Sequence, residues 1–346
     1  MGLIEQKIIK LPFSGPLHLS RGKAEMDTAD PILHSDKIKS AIAAAAYVLF
    51  HKWSQTEKEA FFQAFKVSSA FPYWKDVLFF PTPTMLLPDI EGVGEWKQGK
   101  KKKKIKYLDQ PSLEAILNGE QPATYPASVI QGINADESKD LVICATELPK
   151  DPLIASEVTL RVNVPRDRVE VIEQDAGLYY QERLFFGNEV GLYFCLEYVE
   201  NGHQYEDSIL AAIQFLGDSG IGSDRTNGNG HFDFSKDQHF STINLRVPDH
   251  PTRQVLFSLY CPAETDDLKS LLQGSSYHIL KRGGYIAQPL QDNYLSYRKK
   301  SIHMFGEGSI FSKGQSQGVI HDLKPELVNI EHPIWRDGRP IFLPLK

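Results

Sequence analysis

The sequence predicts an α+β fold of two tandem ferredoxin-like (RRM-like) domains, with a long insertion in the first. Three observations lead there. At 346 residues the chain is long enough for two domains of roughly 100–200 residues, each with its own core. With residues 54–157 set aside, the first part runs strand, helix, strands, helix, strand, the order of a βαββαβ unit. From about residue 240 a strand, a helix and further strands recur, as in a degenerate second copy. The implied domains are 1–239 and 240–346.

The first strand is read at Lys7–Phe13, where Ile8, Ile9, Leu11 and Phe13 are apolar and Gly15-Pro16 ends the run. A helix is expected after His34, with Ser35 or Asp36 accepting the free amides of its first turn. Ile38, Ala41, Ile42, Ala45, Leu49 and Trp53 then recur at the spacing of one helical face. Residues 66–157 are rich in proline and read as irregular. Strands resume at Val158–Val164. Leu178–Phe186 and Gly191–Val199 flank Gly187-Asn188-Glu189-Val190 and read as a hairpin. A helix at Asp207–Leu216, capped by Asp207 or Ser208, leads into a glycine-rich loop at 217–230 and a short strand, His231–Phe234. In the second part the pattern gives a strand at Gln254–Tyr260, a helix at Asp266–Gln273 and strands within Tyr277–Ile286 and Lys300–Phe311.

Composition excludes some classes and leaves others open. With 41% hydrophobic and 24% charged residues the chain is neither disordered nor collagen-like. Cys144, Cys195 and Cys261 are too few and too scattered for a disulfide framework or a metal cluster, and they fit a reducing cytoplasm. The N-terminus lacks the apolar run of a signal peptide, and Gln6 stands where myristoylation wants Ser or Thr. No apolar stretch approaches the ~20 residues of a membrane span. A soluble intracellular protein is expected. The formal net charge of -6 opposes a uniformly basic nucleic-acid coat, but it averages unlike regions. Lys97, Lys100, Lys101, Lys102, Lys103, Lys104 and Lys106 form an acid-free run, either a solvated charged face or a site for a polyanion.

The glycine loop is the most informative segment. Gly220, Gly222, Gly228 and Gly230 bracket Arg225 as G-x-G-x-x-R-x-x-G-x-G. A Rossmann fingerprint needs strand, loop, then helix, whereas here the helix comes first and turns its partially negative end to the loop. A P-loop needs Gly-Lys-Ser/Thr, which is absent. What remains is a flexible turn, or a backbone able to approach phosphates closely with an arginine to pair with them. A second basic stretch joins Lys281-Arg282-Gly283-Gly284-Tyr285 to Tyr297-Arg298-Lys299-Lys300; aromatics beside arginines suit base stacking over phosphates, and ordinary surface strands look alike.

Catalytic signals are weaker. His18, His34, Ser35 and Asp36 could form a general acid–base group, but an N-cap beside a surface histidine explains the same residues. His231, His239, His303 and His332 lack metal-ligand spacing. No metal or cofactor is expected.

The order of motifs is informative in itself. LHLSRG and HSDKIKSAI are followed downstream by GLYFCLEYV, GIGSDRTNGNGHFDF, KRGGYIA, YRKKSIHMFGEGSIF and a terminal HPIWRDGRPIFLPL. This pattern resembles the RAMP superfamily of CRISPR-associated proteins, and within it the fourth Csm subunit group of type III-A effector complexes, nearly end to end. The resemblance implies a non-catalytic subunit that holds the repeat-derived 5′ handle of the CRISPR RNA (crRNA) and meets target RNA by way of the complex. Its implied protein partners are the backbone RAMP subunit and the large polymerase-like subunit. The implied RNA-binding set is His18, Arg21, His34, Ser35, Asp36, Lys39, Gly220, Gly222, Arg225, Asn227, Gly228, Asn229, Gly230, Lys281 and Arg282, with the lysine run as a basic patch. A thumb-like insertion is expected within 66–140. Ser223 and Asp224 depart from the usual loop, which carries a glycine and a basic residue there. The competing enzyme reading is a repeat-RNA-processing endonuclease of the Cas-six type using His18 or His34.

Overall fold

A computed structural model describes residues 2–19, 32–84, 86–134, 140–162, 178–286, 297–312, 317–326, 330 and 332–346. The first strand, β1 (Gly2–Leu11), starts earlier than its apolar pattern predicts, because residues 2–9 pair along their length with a later strand. Helix α1 (Ser35–Leu49) begins where expected, but neither Ser35 nor Asp36 caps it. His34 is the N-cap and makes no side-chain capping bond. The run of alanines from Ala43 to Ala46 lets α1 pack closely, with Ile38, Ile42 and Ala45 buried.

Residues 66–157 are not irregular. Helix α2 (Gln55–Gln63) opens with a Ser54/Glu57 capping box. Strands β2 (Phe65–Val67), β3 (Phe71–Trp74), β4 (Val77–Pro81) and β5 (Asp89–Ile90) follow. Then come α3 (Glu95–Lys102), β6 (Ile105–Asp109), α4 (Gln110–Leu117), β7 (Thr124–Tyr125), β8 (Ile130–Gly132) and β9 (Leu141–Ile143). These strands are two to five residues long, and several are buried on both faces. Runs such as Val77–Pro81 therefore lack the alternation that marks a half-buried strand.

Strands β10 (Ile154–Val162) and β11 (Leu178–Phe186) form a separate two-stranded sheet, joined to the rest by isolated bridges at Leu184 to Leu17 and Ile154 to Asn134. The expected hairpin between Leu178–Phe186 and Gly191–Val199 is therefore replaced. Strand β12 (Val190–Tyr198) instead pairs with β1, β2 and β3. Helix α5 (Glu206–Ser219) starts without the expected side-chain cap, at Tyr205. His231–Phe234 contributes only an isolated bridge, Phe13 to Phe232. After the short α6 (Lys236–His239), the strand that closes the order is β13 (Phe240–Val247).

The large sheet runs β13-β1-β12-β3-β4-β6-β9-β8, with β2 also on β12. The second strand of the βαββαβ order is thus Phe65–Trp74, broken at Ser68-Ser69-Ala70. Because β13 pairs with β1, residues 240–247 lie in the sheet of the N-terminal half. Strand β12 is buried along most of its length and divides two cores. Leu192, Phe194 and Leu196 face α1 and α5, whereas Tyr193 and Cys195 face the opposite side.

That opposite side is covered by the C-terminal half. Strands β14 (Arg253–Leu256), β15 (Ile279–Arg282), β16 (Ile302–Phe305), β17 (Ile310–Ser312), β18 (Ile320–Asp322), β19 (Trp335–Asp337) and β20 (Phe342–Leu345) form three small sheets, β17-β14-β20, β15-β16 and β18-β19. One five-residue helix, α7 (Leu268–Leu272), accompanies them. The repeated order expected there shrinks, among the described residues, to these short elements. Val255, Phe257, Leu343 and Leu345 join Ile8, Tyr193 and Cys195 in one core. No helix among the described residues is long and apolar enough to cross a membrane.

Candidate nucleic-acid interface

Helix α5 stops because Gly220 takes a φ of 79° and donates its N–H to the Leu216 carbonyl. The loop is then laced down at both sides. Ile221 N–H donates to the Gly230 carbonyl, Gly230 N–H to Pro16 and Ser223 N–H to His18. Gly220, Gly222 and Gly230 all have positive φ, and a Cβ would meet Asn229 O at 2.8 Å, His18 O at 2.6 Å, and overlap Ile221 O, respectively. Their close backbone approach is thus to their own chain. Only Gly228, at a φ of 80°, faces open space.

Asp224 organises the tip. It sits in the left-handed region at a φ of 57°, and its carboxylate accepts from Gln181 Nε2 at 2.9 Å and Asn229 Nδ2 at 3.3 Å, and from Asn227. Arg225, Asn227 and Gly228 are exposed, while Asn229 is buried. Beneath the tip, Asn229 Oδ1 and Gln181 Oε1 are buried and accept no hydrogen bond among the described residues. The loop therefore presents one guanidinium and open backbone on a rigid base, an arrangement suited to a phosphate group.

Other expected site residues lie elsewhere. Arg21 is outside the described residues. His18 is 8% exposed, with Nδ1 2.7 Å from the Glu182 carbonyl oxygen; a carbonyl only accepts, so Nδ1 donates. Lys281 is exposed on β15. In the second basic stretch Arg298 lies 5.3 Å from the Tyr285 ring centroid, so that stacking is used within the protein.

His34, Ser35, Asp36, Lys39 and Arg282 do not form an exposed phosphate path. They are packed into the junction between the two halves. Asp36 receives Arg282 through Nε at 3.0 Å and Nη2 at 2.9 Å, and also Arg336. Arg336 Nη2 continues to the Gly283 carbonyl at 3.0 Å. Ser35 Oγ accepts the Leu259 N–H, and Ser35 N–H donates to Ser69 Oγ at the break between β2 and β3. His34 Nδ1 lies 2.8 Å from Glu307, which also accepts from Ser69. Burial pushes the Glu307 carboxyl up, but the adjacent His34 and the hydrogen bonds from His34 and Ser69 outweigh it, so the net shift is downward.

Lys39 is fully buried, donates to the Phe65 carbonyl at 2.6 Å and lies over the Phe65 ring. Burial holds its pKa well below the ordinary lysine value. The reading from sequence missed Ser69, Glu307, Arg336 and Arg339 as partners. Arg339 donates to the carbonyls of Phe62, Gln63 and Phe65, closing the C-terminal end of α2. The signal lay in the terminal HPIWRDGRP and FGEGS strings, where charges are embedded among apolar residues.

The lysine run is ordered. Lys97, Lys100, Lys101 and Lys102 lie on α3, and Lys106 lies on β6. Lys102 pairs with Asp89 at 2.7 Å. Among the described residues no group of three His, Cys, Asp or Glu side chains could hold a metal ion.

With this geometry in hand, comparison with known proteins is specific. Residues 250–345 match the family described as the CRISPR Csm4 C-terminal domain. The chain resembles the Csm4 proteins. It is 27% identical over 288 residues to the Csm4 protein of Thermococcus onnurineus, covering 81% of each chain. The Csm4 protein of Streptococcus thermophilus is 22% identical over 334 residues, covering 94% of this chain and 95% of that one. In fold, the chain resembles a structure of the Csm3–Csm4 subcomplex of a type III-A CRISPR–Cas interference complex, at TM-score 0.63 and 18% identity, with 99% and 100% of the two chains covered. It likewise resembles a Csm1–Csm4 cassette bound to cA4, at TM-score 0.59 and 20% identity, with 99% and 98% covered.

Proposed function

We propose that the chain is a non-catalytic RNA-binding subunit of a type III CRISPR effector complex in the cytoplasm. It holds the 5′ handle of the crRNA at the tip of the glycine loop and meets target RNA by way of the complex. It joins a backbone subunit of the Csm3 kind to a large subunit of the Csm1 kind. Support for the partners comes from the likeness to Csm4 along most of the chain and from Csm3–Csm4 and Csm1–Csm4 structures of the same fold. The observation that carries the RNA reading is Arg225, exposed at the apex of a loop whose other parts are tied to Pro16, His18 and Gln181.

A ferredoxin-like reading of the first half is supported by the order β13-β1-β12-β2/β3 with α1 and α5 on one face. It moves the domain boundary from 239/240 to about residue 248, just past β13. The tandem reading makes the C-terminal half a degenerate copy. The thumb belongs at β10–β11, the hairpin that stands apart from the large sheet, rather than within 66–140.

Endonuclease chemistry has little support, because His18 is held by the Glu182 carbonyl and His34 is buried against Glu307. The test is co-expression with the backbone and large subunits and a CRISPR array. The purified assembly should carry short RNAs with a common 5′ end. An assembly free of RNA, or repeat cleavage that disappears in His18→Ala, would contradict the proposal.

A further inference from the structure

We propose that the groove between α3 and the β8–β9 edge binds the phosphodiester backbone of a single-stranded nucleic acid, at a site separate from the glycine loop. Helix α3 buries no residue, so packing of an apolar face does not explain its position. One side is pinned by polar contacts. The Gln98 side chain accepts from Ile90 N–H at 2.9 Å and donates to the Ile90 carbonyl at 2.8 Å, while Lys102 pairs with Asp89.

The other side is cationic. Lys97, Lys100 and Lys101 share one face of α3 by their i, i+3, i+4 spacing, and with Lys104 in the turn that follows they line a cavity of about 890 Å³. Residues 148–152 form part of the wall, adding Lys150 and, as the only acid among the described lining residues, Asp151. Five ammonium groups around one concavity repel one another, and an anionic ligand removes that repulsion. Lys97 to Lys101 spans roughly 6 Å at helical rise and Lys104 lies beyond the helix end, an array long enough to face successive phosphates of a strand rather than a single small anion.

Trp96 adds a second observation. It is 99% exposed and stands four residues before Lys100, so the two side chains neighbour each other on the helix surface. An indole wholly in water contributes nothing to the core. Beside a lysine-lined groove it supplies a stacking platform for a base, the combination that serves single strands without sequence preference.

The groove and the glycine loop lie at different places, the first at the β8–β9 end of the large sheet and the second against β11 and residues 16–18. The proposal therefore stands or falls independently of the handle-binding reading.

The test uses the full chain and fluorescently labelled (U)15 and (dT)15, with anisotropy read across a salt series. The triple variant Lys97→Glu/Lys100→Glu/Lys101→Glu should weaken binding at least ~100-fold and flatten the salt slope by about 2, at ~0.7 per neutralised phosphate on a single strand. Trp96→Ala should weaken it about 5-fold or more. Lys103→Glu/Lys106→Glu, outside the lining, should change it less than about 3-fold. Preference for (U)15 would identify the source as RNA and equal affinity a backbone shared with DNA; both support the site. A triple variant no weaker than the Lys103/Lys106 control would overturn the proposal. Displacement by polyphosphate together with a silent Trp96→Ala would also overturn it, leaving a general polyanion surface.

Discussion

Asp36 in the first turn of α1 and Arg336 in β19, 300 residues apart in sequence, meet as a buried ion pair between the two halves. Arg282 of β15 closes on the same carboxylate from a second direction. Burial lowers the Arg336 pKa to about 10, so the guanidinium remains charged at neutral pH. One carboxylate thereby fixes α1, β15 and β19 relative to one another.

Loss of that carboxylate removes the buried anion that Arg282 and Arg336 share. Asp36→Ala should destabilise the chain by about 3–5 kcal/mol, the usual consequence of removing one partner from a buried pair. Chemical denaturation measures it directly. A change below about 1 kcal/mol would mean that the junction is not held this way.

Lys39 separates a structural role from an RNA-binding one. If it is replaced by methionine, the Phe65 carbonyl still accepts from Arg339 at 2.9 Å, and the apolar stem is retained. Lys39→Met should cost less than about 1.5 kcal/mol, as volume-conserving core changes do, and should leave RNA retention unchanged. A drop in RNA retention with unchanged stability would return Lys39 to the RNA path.

Acid should loosen the junction in two stages. His278 has its pKa lowered from its ordinary 6.5, chiefly by burial, with His34 and Lys106 adding to the effect and Glu307 opposing it. The unfolded chain therefore binds the extra proton first, and stability falls as pH drops below about 6.5. Glu307, also lowered, holds its contribution above its ordinary 4.5 and loses it as pH falls further. Denaturant midpoints between pH 7.5 and 5 should decline in the wild type and stay flatter in His278→Gln. Parallel curves would contradict this.

The glycines of the loop should not be equivalent. At Gly230 a Cβ overlaps the Ile221 carbonyl oxygen, so Gly230→Ala should lower Tm by several degrees and expose the loop to proteolysis. Gly228 has a similar φ and nothing within 4 Å. There alanine should cost only about 1 kcal/mol, the backbone strain alone.

The order of the elements nearest the site was legible because it rests on local patterning. The apolar face of Ile38, Ile42 and Ala45 marked α1, and the 178–186 and 190–198 strands were readable to within a residue. Pairing was not, since Glu189 and its neighbours signal a turn equally well when β12 turns to β1 and β3 instead of β11. The short strands between Phe65 and Ile143 were hidden by burial on both faces and by proline at their ends. The glycine spacing around Arg225 pointed to the loop, but not to which glycines face their own chain. The reading of His34, Ser35 and Asp36 as an N-cap beside a surface histidine failed for a physical reason. Polar residues at a helix start satisfy its amides by default, and only the distant Arg336, Glu307 and Leu259 reveal that these side chains are used in the junction.

Handle binding by the glycine loop rests on Arg225 pairing with RNA phosphate. The affinity of the assembled complex for the crRNA handle across a salt series, with wild type and Arg225→Glu compared, probes that pairing. The variant should bind more weakly, with a salt slope reduced by about 0.7 for each phosphate that Arg225 neutralises. Affinity and slope both equal to the wild type would show that Arg225 does not touch the RNA backbone.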